Sequence, residues 1–302
     1  MMRSLKDNWI KWFGWVFAGL TIASVIGFIG CHIYANFTGI GPGARIPVKT
    51  RDGHVNIRHS KIDAAQTEII TSNKEIQWYD FIDHEYVAQY QTDHQSFFRS
   101  FQHQSDLKYA LRKYTSASDY YSRFYRGLII MDHEKITDVA KIFSDSAVRK
   151  KMSPLQVAEM IITFIQEIPY YLVHEGSCER AMDEGNSFLI QYHREGKPCL
   201  PYVAGGIQSP YGFLHNLKGD CDTRSLLAHA ILRRLNIASS VWVSEAYGHS
   251  VLGVAVPAGY GIFKEVNGVR HYGVELTTKG YRIGMVYPEH ANAENWNITI
   301  HN

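Results

Sequence analysis

The strongest hydrophobic feature of the chain runs from Trp12 to about Tyr34. It is apolar on every face and sits inside a stretch, Trp12 to Ala44, without any Asp, Glu, Lys or Arg. About 20 such residues, rising 1.5 Å each, cross the ~30 Å hydrocarbon core of a bilayer. Trp9, Trp12 and Trp15 at one end and Tyr34 at the other suit the two interfaces. The pattern predicts a transmembrane anchor over 12–34, with residues 1–11 in the cytoplasm. Arg3, Lys6 and Lys11 lie closer to the span than Arg45, Lys49 and Arg51 do, which places the N-terminus inside and the bulk of the chain in the periplasm or outside the cell. The alternative is a lipoprotein signal ending at Phe28-Ile29-Gly30-Cys31, with Cys31 lipidated after cleavage. Against it, Phe28 stands where Leu is usual, and the apolar run continues past Cys31. Gly39 to Gly43 reads as a hinge, because Pro42 removes an amide donor that a phosphate-binding loop needs.

Beyond the hinge the pattern turns to short mixed segments. Arg45 to Ile57 reads as extended, with a turn at Asp52-Gly53. Asp63 to about Trp78 and Phe97 to Tyr114 carry mixed helical periodicity. Tyr120 to Met131 suits a strand or a short helix. His133 to Phe143 predicts a helix that buries Ile136, Val139, Ala140 and Phe143. A cleaner helix starts at Ser153-Pro154, with Val157, Met160, Ile161 and Phe164 as its stripe and Pro169 as its stop. Tyr170 to Val173 is extended, and 174–207 is rich in Gly and Pro and reads as loop. These segments divide the chain into a linker and accessory α/β region, 35–150, and a second domain, 151–302.

The chain has 302 residues, of which 45% are hydrophobic and 20% charged, so it can bury a core. A net charge of +2 argues against a dedicated nucleic-acid binder, which shows a basic excess or stripe. Four Cys are too few for a disulfide scaffold, although Cys178 and Cys199 bracket the 174–207 loop and can close it in an oxidising compartment. No His-Glu-x-x-His run, Cys-x-x-Cys pair or Gly-Lys-Ser/Thr phosphate loop occurs, so no metal and no cofactor is expected.

The chemistry concentrates at Leu217-Lys218-Gly219-Asp220-Cys221-Asp222 and the helix it opens, which runs to about Leu235. Gly219 makes a turn and Asp220 caps, so Cys221 falls in the first helical turn. There it faces free N–H groups and the positive end of the helix dipole, which favour a thiolate. Asp222 supports the same helix end. A cysteine nucleophile also needs a base. Gly248-His249-Ser250 leads into a strand, and Glu275 lies on the next strand, Arg270 to Thr277. Paired antiparallel, these strands set His249 beside Glu275 against the Cys221 helix, as base and orienting carboxylate. His229 and His271 are nearby alternatives for other roles. The Cys221 N–H is a natural oxyanion donor, and Gln166, Tyr170 and Gln208 are candidates for the second.

Gly219-Asp220-Cys221-Asp222 entering an Ala/Leu-rich helix, then Gly248-His249-Ser250, then Glu275-Leu276-Thr277, resembles the transglutaminase-like superfamily. Phe164-Ile165-Gln166-Glu167-Ile168-Pro169-Tyr170 and Ser209 to Leu214 are similar to stretches of its bacterial members. The resemblance covers about 153–290, with Glu275 where Asp is usual. It implies an α+β, papain-like core, a Cys-bearing helix on an antiparallel sheet. It implies a Cys221–His249–Glu275 triad that attacks amide bonds through a thioester, with hydrolysis favoured over cross-linking. Location alone suggests a peptide, protein or peptidoglycan-like amide substrate. The alternative is a non-catalytic binding module that keeps the fold.

Overall fold

The structure, a computed structural model, describes residues 49–50, 53–62, 68–114, 116–180 and 187–302. The anchor over 12–34, the lipidation alternative at Cys31 and the hinge at 39–43 lie outside the described residues. Among the described residues no helix is long and apolar enough to cross a membrane.

The fold is α+β with mainly antiparallel pairing. Strands β1 (Lys49–Thr50), β2 (Gly53–Ile62), β3 (Glu68–Tyr79) and β4 (Glu85–Asp93) form a meander in that order. The turn expected at Asp52-Gly53 involves Asp52, which lies outside the described residues; Thr50 pairs with Gly53. The helical reading of 63–78 is corrected over 68–78, which lies in strand β3, and 63–67 lie outside the described residues. Its Lys74, Ile76 and Trp78 point inward, while Glu75, Gln77 and Tyr79 point outward. A polar Lys74 on the buried face hides the period of two that marks a half-buried strand.

Helices α1 (His94–Ala110), α2 (Ala117–Asp132), α3 (Thr137–Lys150) and α4 (Pro154–Glu167) follow. Tyr120 to Met131 is thus helix, inside α2. The four residues expected to be buried in α3 and the turn before it are buried. Ser153 and Gln156 form a capping box at the start of α4, with Pro154 in its first turn. Trp78 Nε1 donates to the Met160 carbonyl at 3.1 Å, which fastens β3 to α4.

The extended reading of Tyr170 to Val173 falls on β5 (Leu172–Val173), while the region read as loop contains α5 (Ser187–Arg194) and β6 (Cys199–Leu200), with β5 and β6 paired in parallel. Helices α6 (Pro210–Asn216) and α7 (Cys221–Arg234) come next. The second sheet has the order β11-β7-β8-β10-β9, from β7 (Ser239–Ser244), β8 (His249–Val254), β9 (Phe263–Val266), β10 (Val269–Val274) and β11 (Asn297–His301).

Helix α7 packs on β7 and β8, and α4 and α6 pack against α7. Its Leu226 to Leu232 are all buried, so the helix is enclosed rather than amphipathic. The opposite face of the sheet is covered by Trp242, Val251, Val286 and Trp296. One hydrophobic core takes in Ile76, Phe143, Phe164, Leu227 and Ile300. It therefore joins residues on both sides of position 150. Buried Asp132 adds a polar tie, accepting from Ser100 Oγ at 2.6 Å and from the Tyr211 N–H at 2.9 Å.

Candidate active site

Cys221 is the first residue of α7. Asp220 precedes it as N-cap and accepts from the Thr223 N–H at 3.3 Å. Glycine is required at 219 by space, because a Cβ there would lie 2.8 Å from Phe213 and from Thr223. Gly248, at φ +56°, takes the left-handed turn that delivers His249 to the start of β8.

Strands β8 and β10 pair antiparallel, with Leu252 opposite Val274. Their open ends therefore carry His249 and, one residue past β10, Glu275. His249 Nε2 lies 2.8 Å from Glu275 Oε2. Glu275 is completely buried, and its Oε1 accepts from the Thr277 N–H at 2.8 Å and from the Thr277 hydroxyl at 2.6 Å. Burial works to raise the Glu275 pKa, but the His249 hydrogen bond, the His249 charge and the Thr277 bonds outweigh it and hold the carboxyl below its ordinary range. An ionised Glu275 only accepts, so Nε2 carries the His249 proton and Nδ1 keeps the lone pair.

The Cys221 thiol senses the Ser250 backbone N–H and the Glu275 carboxylate, which places it at the same end of the sheet as the His249–Glu275 pair. His249 and Glu275 are thus paired from two strand ends, and Cys221 opens the helix that packs on β8 beside them. The thiolate expected at rest is corrected. Burial, then the charges of Asp222 and Asp220, push the Cys221 thiol well above its ordinary pKa, and the Ser250 N–H offsets only part of this. A helix N-terminus favours the anion, but here two carboxylates share that terminus. Both carboxyls are themselves raised, by burial in each case and for Asp220 also by Asp222. The sulfur is therefore a thiol at rest.

Two of the proposed oxyanion donors are otherwise engaged. Gln166 Nε2 donates to the carbonyls of Glu275 and Tyr281, both at 2.8 Å. It holds the Glu275 backbone rather than facing the sulfur. Gln208 Nε2 donates to Asn216 Oδ1 at 3.0 Å and to the Lys218 carbonyl, bracing the α6–α7 turn. Tyr170 remains close to the thiol. Burial, then the Cys221 charge, raise its hydroxyl pKa, and its backbone bridges in parallel to Gly219. His229, on α7, and His271, on β10, bond to the sheet instead, to Ser239 at 2.8 Å and Ser240 at 3.0 Å. Burial lowers them to about 3 and about 4, so both are neutral near pH 7.

Cys178 and Cys199 are joined in a disulfide, with Cα atoms 6.2 Å apart. The bridge ties the segment after β5 to β6.

Arg224 was not singled out by sequence. It is fully buried one turn after Cys221, and four carbonyls surround its guanidinium. Nε donates to Gly219 at 3.0 Å, one terminal nitrogen to Ile165 and Leu276 at 2.8 and 3.2 Å, and the other to Ile168 at 2.6 Å. It clamps together the turn before Cys221, the end of α4 and the segment after Glu275. An arginine on the apolar side of a helix, three residues after a candidate nucleophile, was the available signal.

His290 was also missed. Its ring stacks on Tyr247, with centroids 4.5 Å apart, and lies 5.2 Å from the His249 ring. Comparison with protein families, with curated proteins and with solved structures finds no match to this chain.

Proposed function

We propose that the chain is a membrane-tethered cysteine hydrolase or acyltransferase of transglutaminase-like, papain-like type. It cleaves amide bonds outside the cytoplasm through Cys221, His249 and Glu275. The observation that carries this reading is the 2.8 Å pair of His249 and Glu275 at the sheet end on which the helix opened by Cys221 packs.

The chemistry follows from the protonation pattern. His249 Nδ1 takes the thiol proton as Sγ bonds to the amide carbonyl carbon. The negative charge moves to the carbonyl oxygen, where the free Cys221 N–H at the helix start is aimed to receive it. Glu275 stabilises the imidazolium that forms. Collapse breaks the C–N bond, and His249 returns its proton to the departing amine, leaving a thioester. Water, deprotonated by His249, then releases the acid. An amine in place of water gives transfer, and the bacterial resemblance favours hydrolysis. Peptide, protein or peptidoglycan-like amides are the substrate class. The Cys178–Cys199 bridge supports an oxidising compartment, and so supports the location.

The test uses iodoacetamide and p-nitrophenyl acetate on the full chain in detergent. Alkylation of Cys221 that depends on His249 as base, and an acetyl adduct on its peptide, are expected in wild type at neutral pH. Both should be lost in Cys221→Ala and reduced in His249→Ala while the unfolding transition stays cooperative. Labelling and acetylation of Cys221 that are unchanged in His249→Ala would favour a non-catalytic binding module.

A further inference from the structure

We propose that His249, Glu275 and His290 form a binding site for a divalent transition-metal ion of the Zn2+ class, and that an ion seated there switches the cysteine site off. The metal site stands on geometry alone. The switching rests on Cys221 being the nucleophile.

One ligating atom from each of the three residues lies within 4.8 Å of the others. A tetrahedral ion with bonds of about 2.0–2.2 Å needs its ligands roughly 3.3 Å apart, so closure requires shifts on the order of an ångström. Glu275 is already aimed. Thr277 holds Oε1 through two hydrogen bonds, which leaves Oε2 toward His249. Such outer contacts orient a ligating carboxylate. His290 Nδ1 is buried and has no hydrogen-bond partner, an arrangement that is costly unless something occupies it. Its backbone is fixed too, since the Trp296 indole donates to the His290 carbonyl at 2.9 Å. Two imidazoles and one carboxylate suit zinc-like ions and leave one position for water. Calcium and magnesium prefer all-oxygen sets.

The consequence for His249 is a change of tautomer. Its single proton sits on Nε2, facing Glu275. An ion bound at Nε2 displaces that proton to Nδ1, so no proton is gained or lost. The Nδ1 lone pair that would accept the thiol proton is then gone, and Cys221 has no base.

The experiment uses the full chain in detergent, with Co2+ as a spectroscopic probe and Zn2+ measured by competition with a chromogenic chelator. Wild type should bind one ion in this site, with the visible absorption of Co2+ held by nitrogen and oxygen. His290→Phe keeps the ring on Tyr247 but removes the ligand. It should weaken binding by at least the ~10–100-fold that losing even an outer-sphere partner costs. His290→Gln is the second variant should the first fail to fold. Cys221→Ala should bind as wild type does. Zn2+ should slow iodoacetamide labelling of Cys221 in wild type far more than in His290→Phe. Equal affinity in wild type and the His290 variants, or loss of binding in Cys221→Ala, would overturn the site. A Cys221 that is unreactive even without metal would end the cysteine-enzyme reading while the binding data still judged the metal site.

Discussion

His249 Nε2 and Glu275 Oε2 meet at 2.8 Å across the open end of the β8–β10 pair, and Thr277 grips the other carboxylate oxygen. The contact decides which imidazole nitrogen keeps its lone pair, because a buried, ionised carboxylate accepts and never donates. Glu275→Gln keeps the shape but lets the amide donate to Nε2 and favours the opposite tautomer. Acetylation of Cys221 by p-nitrophenyl acetate should fall roughly 10²–10⁴-fold, the usual worth of an oriented base. A rate within a few-fold of wild type would remove Glu275 from the mechanism.

The same residue ties stability to pH. Glu275 is held below its ordinary value of 4.5, so its contribution is fully present above that value and is lost as pH falls through the lower folded one. The Tm gap between wild type and Glu275→Gln should therefore be widest near neutrality and close in acid. A gap that stays constant from neutral to acid pH would contradict the sign.

Asp222 and Asp220 act in the opposite sense. Their raised carboxyls make ionisation unfavourable in the folded state at neutral pH, and that penalty is relieved as pH falls through the raised values. Asp222→Asn removes the nearer charge from the Cys221 thiol. The midpoint of the alkylation pH profile should move down, giving more thiolate at a given pH below it. An unmoved or raised midpoint would show that the sulfur does not sense Asp222.

Arg224 donates to four backbone carbonyls from a fully buried position. Arg224→Met should cost at least about 3 kcal/mol in urea unfolding, since several buried acceptors lose their donor together. Arg224→Lys should recover part of this, because an ammonium offers three donors but no fork. A methionine variant as stable as wild type would refute the clamp.

Reduction of Cys178–Cys199, or replacement of both residues by Ser, opens a loop whose ends are 21 residues apart. The chain-entropy argument gives a loss of about 3 kcal/mol in urea unfolding. Equal stability of oxidised and reduced protein would mean that the loop is restrained by its other contacts.

The helix start at Cys221, the strand start at His249 and the approach of Glu275 were readable because each carries a local signal. Asp220 caps, Gly248 turns the chain, and Val251, Leu252 and Val254 mark the strand that follows His249. Strand β4 was not readable, since its inward Tyr86, Ala88, Tyr90 and Thr92 include no aliphatic residue larger than Ala. Helix α5 was hidden among the glycines and prolines that flank it. The engaged side chains of Gln166 and Gln208 depend on carbonyls 109 and 10 residues away, which no spacing rule connects. His290 reaches His249 only because the 286–298 segment folds over the far face of the sheet. The restraint on the thiol came from burial, a property of packing that a helix-dipole argument leaves out.

The Arg224 clamp has one more implication. Burial lowers its guanidinium only to about 10, so the cation survives throughout the range in which a cysteine and a histidine exchange protons. The turn under Cys221 and the strand end at Glu275 are therefore fastened by a charge that does not titrate with the chemistry. Variation of rate between mildly acidic and mildly alkaline solution will report on proton traffic in the site, not on slackening of the frame that holds it.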